Sequence, residues 1–108
     1  MSATFDTIKA LLSVGKSRVS DHCLKEMRDD GIDLSDVLAG IGHAIVVDDY
    51  PNYAKGPCVL CLQLDRDGKP LHIPWGVALK TSDVATIITA YRPDPARWSA
   101  DFLTRRPK

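Results

Sequence analysis

Two alternating runs meet at one tight turn past the middle of the chain, and that junction limits the fold more than any other feature. In residues 58–65, Cys58, Leu60, Leu62 and Leu64 point one way, while Val59, Cys61, Gln63 and Asp65 point the other. Arg66-Asp67-Gly68-Lys69 follows, and Asp-Gly supplies the backbone angles a tight hairpin requires. Beyond the turn, Leu71, Ile73, Trp75, Val77 and Leu79 share one face, and His72, Pro74, Gly76, Ala78 and Lys80 share the other. A β-hairpin with an apolar face to bury is therefore expected. Pro74 has no N–H to give a ladder, so a bulge or an edge position is expected there, with Gly76 fitting the same bend.

That hairpin needs neighbours and a cover. Residues 44–50 (AIVVDDY) read as a strand before it, and residues 84–91 (VATIITAY) as a strand after it that is apolar on both faces, as in a central strand covered on both sides. Upstream the period changes to that of helices. Phe5, Ile8, Leu11 and Leu12 form one stripe, with Thr4, Asp6, Thr7 and Lys9 opposite and Gly15 as a stop. A second helix starts at the N-cap Ser20, carries Val19, Cys23, Leu24 and Met27 as its stripe, and ends at Gly31. Asp33 and Asp36 suit the start of a short third helix over residues 34–41.

Helices segregated from an antiparallel meander define an α+β domain. The expected architecture is N-terminal helices packed on a four-stranded, mainly antiparallel sheet. It forms one domain over residues 1–108: a helical part at 4–42, a sheet at 44–92 and a basic tail at 93–108. A chain of 108 residues supports one core of ordinary size.

Charge sets some limits on function. Fourteen basic and fourteen acidic residues give a net charge of zero, so no global field steers the chain to nucleic acid. The end is uneven: Arg92, Arg97, Arg105, Arg106 and Lys108 stand against Asp94 and Asp101, which reads as a solvated tail or as a basic patch. Mixed charge in the first ten residues excludes a signal peptide, and no run approaches the roughly 18 apolar residues of a membrane span. A cytoplasmic protein is expected, with Cys23, Cys58 and Cys61 reduced. Cys58 and Cys61 diverge on a strand, which argues against zinc; no metal and no cofactor is expected. Asp48 and Asp49 diverge in the same way, which argues against a paired-carboxylate site.

His22 and His72 are the candidates for proton transfer, because a neutral imidazole passes protons near cytosolic pH. Tyr91 is a third candidate. Lys80 and Arg92 are candidates for holding a phosphate. Such a set could cleave RNA without a metal, one group taking the 2′-hydroxyl proton and another protonating the leaving oxygen. It requires His22, His72 and Tyr91 to open onto one cleft. Taken singly, each of these residues reads first as structural, and only the set together points to catalysis.

Four segments together resemble the bacterial family called domain of unknown function 4258. They are His22, Met27, Gly31 and Ile32; Asp49, Tyr50 and Pro51 with Gly56 and Pro57; Pro70, Leu71 and His72; and Thr89, Tyr91, Pro93 and Asp94. That family is similar in turn to small toxins of the RelE/ParE/BrnT type, whose fold sets a few helices against a meander sheet. The resemblance implies a metal-independent endoribonuclease acting on RNA or the ribosome and restrained by an antitoxin protein. This chain departs from it in being neutral rather than basic, and in interrupting the strand at Pro74-Trp75-Gly76. The rival expectation is a non-catalytic module that binds a protein partner, or a homodimer, through the same sheet face or its Trp75 edge. Fold alone does not decide between them.

Overall fold

The computed structural model describes residues 2–78 and 84–107. Helix α1 (Ala3–Ser13) begins at Ser2, whose hydroxyl accepts from the Phe5 N–H at 3.0 Å. It buries Thr4, Phe5 and Ile8, so Thr4 belongs to the packed side rather than to the polar face expected of it. Helix α2 (Asp21–Asp29) is capped by Ser20 through the Cys23 N–H and buries Cys23 and Met27 one turn apart. Helix α3 is shorter than expected: it spans Leu34–Ala39 and continues as one 3-10 turn, Gly40–His43. Asp33 does not cap it. That carboxylate and Asp36 both turn to Arg66 of the hairpin, at 2.7 and 3.0 Å. A charged bidentate partner outcompetes a backbone N–H for the same oxygens.

Among the described residues five strands form one sheet, where four had been expected. They are β1 (Ser17–Val19), β2 (Ile45–Tyr50), β3 (Cys58–Leu64), β4 (Pro70–Val77) and β5 (Ala85–Ile87), in the spatial order β1-β5-β4-β3-β2. Strands β2 to β5 are the expected antiparallel meander, and β1 adds to β5 in parallel, making the sheet mixed. Strand β1 left almost no trace in the sequence. It is three residues long, two of them exposed, and its Val19 fits the apolar stripe of α2 equally well. Only the pairing with β5 makes those residues a strand.

The β3–β4 hairpin keeps one register from Cys58 opposite Gly76 to Leu64 opposite Pro70. Its turn closes with the Gly68 N–H donating to the Asp65 carbonyl at 3.0 Å, and Gly68 takes a φ of 77° that a side chain would disfavour. Asp65 organises the turn by accepting from the N–H groups of Asp67 and Lys69. On the other side of β4 the register slips. Trp75 faces Ile87, yet His72 faces Tyr91, so three steps on β4 are matched by four on its partner. Pro74 sits at this slip, its carbonyl accepting from Ile88 and its ring nitrogen unable to donate. The bulge expected from Pro74 is thus carried by the facing chain.

Helices cover one face of the sheet. Val59, Cys61, Leu71, Ile73, Trp75 and Ile87 project from it into a core closed by Phe5, Ile8, Met27 and Val37. Trp75 is 0% exposed, so it offers no edge to a partner. Its indole N–H donates to Gln63 Oε1 at 2.8 Å, and Gln63 Nε2 donates to the Val37 carbonyl at 2.7 Å, so the buried polar atoms are paired. Cys61 lies in the same core, where burial pushes its thiol up to about 12; Cys58 lies on the far face, as alternation requires. The core side of β3 is therefore Val59, Cys61 and Gln63, and the leucine-rich side turns outward.

Candidate functional site on the outer face

Strand pairing arranges the outer face in three rows. Tyr50, Cys58, Gly76 and Thr86 form the first, Asp48, Leu60, Pro74 and Ile88 the second, and Ile45, Leu62, His72 and Tyr91 the third. Residues 93–107 fold back across this face. They make one turn in which Asp94 accepts from the Ala96 N–H, then a hairpin in which Trp98 pairs with Arg105. The tip is held by Asp101, which accepts from the Ser99 hydroxyl and the Leu103 N–H, and by Phe102, which takes a φ of 60°. These residues form an ordered cap where a solvated tail had been one expectation.

The cap closes over His72. Trp98 stands edge-on to the imidazole with ring centroids 4.4 Å apart, Tyr91 flanks it at 5.6 Å, and His72 is 0% exposed. His72 Nε2 lies 2.9 Å from the Phe102 carbonyl. A carbonyl only accepts, so we assign the hydrogen to Nε2; Nδ1 is then a bare acceptor, buried and without a partner among the described residues. Burial lowers the His72 pKa and nearby Arg105 adds to this, while the Phe102 carbonyl and Asp48 act against it. The ring is a neutral, enclosed group.

Beside the cap lies a cleft of about 780 Å³ lined by Tyr91, Arg92, Asp94, Arg97, Arg105 and Arg106. Burial raises the Tyr91 pKa, so its phenol keeps its proton at neutral pH. The four arginines differ in their freedom. Arg92 pins the β3–β4 turn to the end of α2, binding Asp65 at 3.1 Å and the Gly31 carbonyl at 3.2 Å. Arg105 reaches Asp48 at 2.9 Å while lying over the Trp98 ring at 4.8 Å. Among the described residues the Arg97 guanidinium meets only Asp94, at 3.9 Å, and Arg106 donates to the Pro95 carbonyl. These last two are the guanidinium groups most able to turn to a ligand.

The candidates from the sequence are thus only partly brought together. Tyr91 and Arg92 line the cleft, and His72 stands behind Tyr91 without opening onto it. His22 is elsewhere: it projects from α2, its side chain is 83% exposed, and it pairs with Glu26 at 2.6 Å. The single cleft expected for His22, His72 and Tyr91 does not exist, because α2 packs on the inner face while His72 points outward. Lys80 lies outside the described residues. Arg97, Arg105 and Arg106 also line the cleft and were not among the candidates from the sequence; the signal for them is the cluster of basic residues after Pro93. No group of three or more His, Cys, Asp or Glu suited to a metal occurs among the described residues.

A second hollow, of about 540 Å³, lies at the first two rows, walled by Tyr50, Tyr53 and Ile88 over a floor that includes Pro74 and Gly76. A Cβ on Gly76 would come within 3.1 Å of the end of the Ile88 side chain, so the wall would have to give by a few tenths of an ångström. A family model described as Domain of unknown function (DUF4258) matches residues 19–92. No curated protein and no solved structure matches the chain. The matched span holds the sheet from Val19 onward and stops at Arg92, just before the cap.

Proposed function

The chain belongs to the DUF4258 family, and we propose that it is an RNA-directed protein that grips the phosphodiester backbone in the arginine cleft beside Tyr91. The observation that carries this reading is that four arginines and one phenol face a single opening, against one lining carboxylate, on a chain with no net charge. Guanidinium groups match phosphate oxygens with paired hydrogen bonds, and the neutrality of the whole makes the concentration of positive charge local. The likeness to RelE-type toxins supports RNA as the polymer, and helices set against a meander support that likeness at the level of architecture.

Cleavage is the stronger form of the same reading. Tyr91, held protonated, is the donor to the leaving 5′-oxygen; Arg97 and Arg106 stabilise charge on the phosphorus oxygens; and Asp94 is the carboxylate placed to receive the 2′-hydroxyl proton. His72 has no direct part, being enclosed, and acts only by holding the cap. The rival module that binds a protein or a second copy loses its Trp75 edge, which is core, and keeps the exposed Ile45, Tyr50, Leu64 and Ile88 of the outer face, with Tyr53 beside them.

Binding is tested by fluorescence anisotropy of a short single-stranded RNA at rising salt. The double variant Arg97→Ala/Arg106→Ala should bind more weakly, with the slope of log affinity against log salt reduced by about 1 to 2. Cleavage is tested on the same RNA with Tyr91→Phe, which should still bind and no longer cut. If the wild type shows no salt-sensitive binding at low ionic strength, the RNA reading fails.

A further inference from the structure

The hollow at Tyr50 and Tyr53 has no part in holding phosphate, yet it adjoins the arginine cleft. We propose that it is a nucleobase subsite, occupied by a base of the same single-stranded RNA whose backbone crosses the cleft. This rests on the reading of the cleft as an RNA site. Three features point to a base as the occupant.

The first is continuity. Arg105 lines the cleft and pairs with Asp48, which lies two residues along β2 from Tyr50, a wall of the hollow, so adjacent rows of the outer face join the two openings. A strand leaving the arginines on that side meets the tyrosines next.

The second is surface chemistry. Tyr50 is 43% and Tyr53 52% exposed, an unusual state for two neighbouring rings on a chain that buries Trp75 and Trp98. Between them and Ile88 the floor carries little side-chain bulk at Gly76 and Pro74. A planar aromatic ligand fits such a slot, and stacking accepts every base because each has a π-face. Cys58 lies in the same hollow, its thiol pKa raised first by burial and then by Asp49, and so adds apolar surface rather than charge.

The third is charge at the rim. Lys55 lines the hollow on the loop after β2, so an anionic backbone following its base meets a cation at the far side as well. An uncharged apolar peptide would have no use for it.

The test compares two fluorescent probes of equal length: an oligoadenylate and its abasic ribose-phosphate counterpart. The wild type should bind the oligoadenylate about tenfold more tightly. Tyr53→Ala should abolish that preference while leaving the abasic probe and the salt slope unchanged, and Tyr53→Phe should restore it. If the wild type binds both probes equally in an arginine-dependent way, the base subsite is overturned and the phosphate cleft stands. If Tyr53→Ala weakens both probes alike, the residue is structural and the subsite is again overturned. If neither probe binds, the cleft reading falls, and the subsite with it.

Discussion

Trp75 and His72 lie three residues apart on one strand, both 0% exposed, on opposite faces of the same sheet. The inner ring is fully accommodated: helices cover it, apolar side chains surround it, and its single donor meets Gln63. The outer ring is covered by a hairpin that needs a left-handed Phe102 and an ion pair at its margin, and that leaves Nδ1 unpaired. One face is a core and the other is a closure. A buried polar atom without a partner is a standing cost, tolerated where the cover is held for another reason.

The comparison is sharpened first by removing Trp75. Trp75→Ala should cost about 3–5 kcal/mol in urea unfolding, since it opens a cavity and also strips Gln63 of its partner. Trp98→Ala should cost less, about 2–3 kcal/mol, because the cap can partly collapse. It should also bring the His72 titration, followed by NMR, back up towards the ordinary imidazole range. Equal losses from both substitutions would make the cap as much a core as the helical side, and the distinction would be lost.

Mild acid, around the ordinary imidazole range, should act on the outer face through His72. The folded state lowers the His72 pKa below its ordinary 6.5, so well above that value both states carry a neutral ring and the cap's contribution is complete. As pH falls below it, the unfolded chain takes up the proton first and stability drops until the folded pKa is passed. For one group the slope cannot exceed about 1.4 kcal/mol per pH unit. Groups facing the ring set the depth: Arg105 deepens the effect, and Asp48 and the Phe102 carbonyl soften it. His72→Gln should flatten this limb of the stability–pH curve. The smallest effect belongs to His22→Ala, which should change stability by less than about 0.5 kcal/mol and leave RNA binding untouched, as its only partner is a solvent-exposed Glu26.

Short-range chemistry explains what could be read in advance. The β3–β4 hairpin, the cap at Ser20 and the divergence of Cys58 from Cys61 each depend on residues a few positions apart. What escaped depended on distant partners. Ser17-Arg18-Val19 is a strand only because β5 lies beside it, and alternation in β3 revealed two faces without saying which one the helices would choose. Arg97, Arg105 and Arg106 become a cleft only when the cap folds back on Tyr91. The two histidines are alike in composition and opposite in fate, because one lies on a helix side with nothing above it and the other under Trp98.

The slip beside Pro74 acts as a frame shift within the sheet. Were the register of Trp75 with Ile87 carried through unbroken, His72 would face Ala90, and Tyr91 would turn in among the helices. The added residue reverses that parity: Ala90, which fits the tight interior, goes inside, and the phenol comes out beside the arginines. Deleting Thr89 would therefore remove the slip and leave Tyr91 opposite His72 and Ala90 inside, whereas inserting one further residue there would exchange the two. The position of the proposed proton donor is set by a count of residues, and an imino acid with no N–H allows the count to be odd.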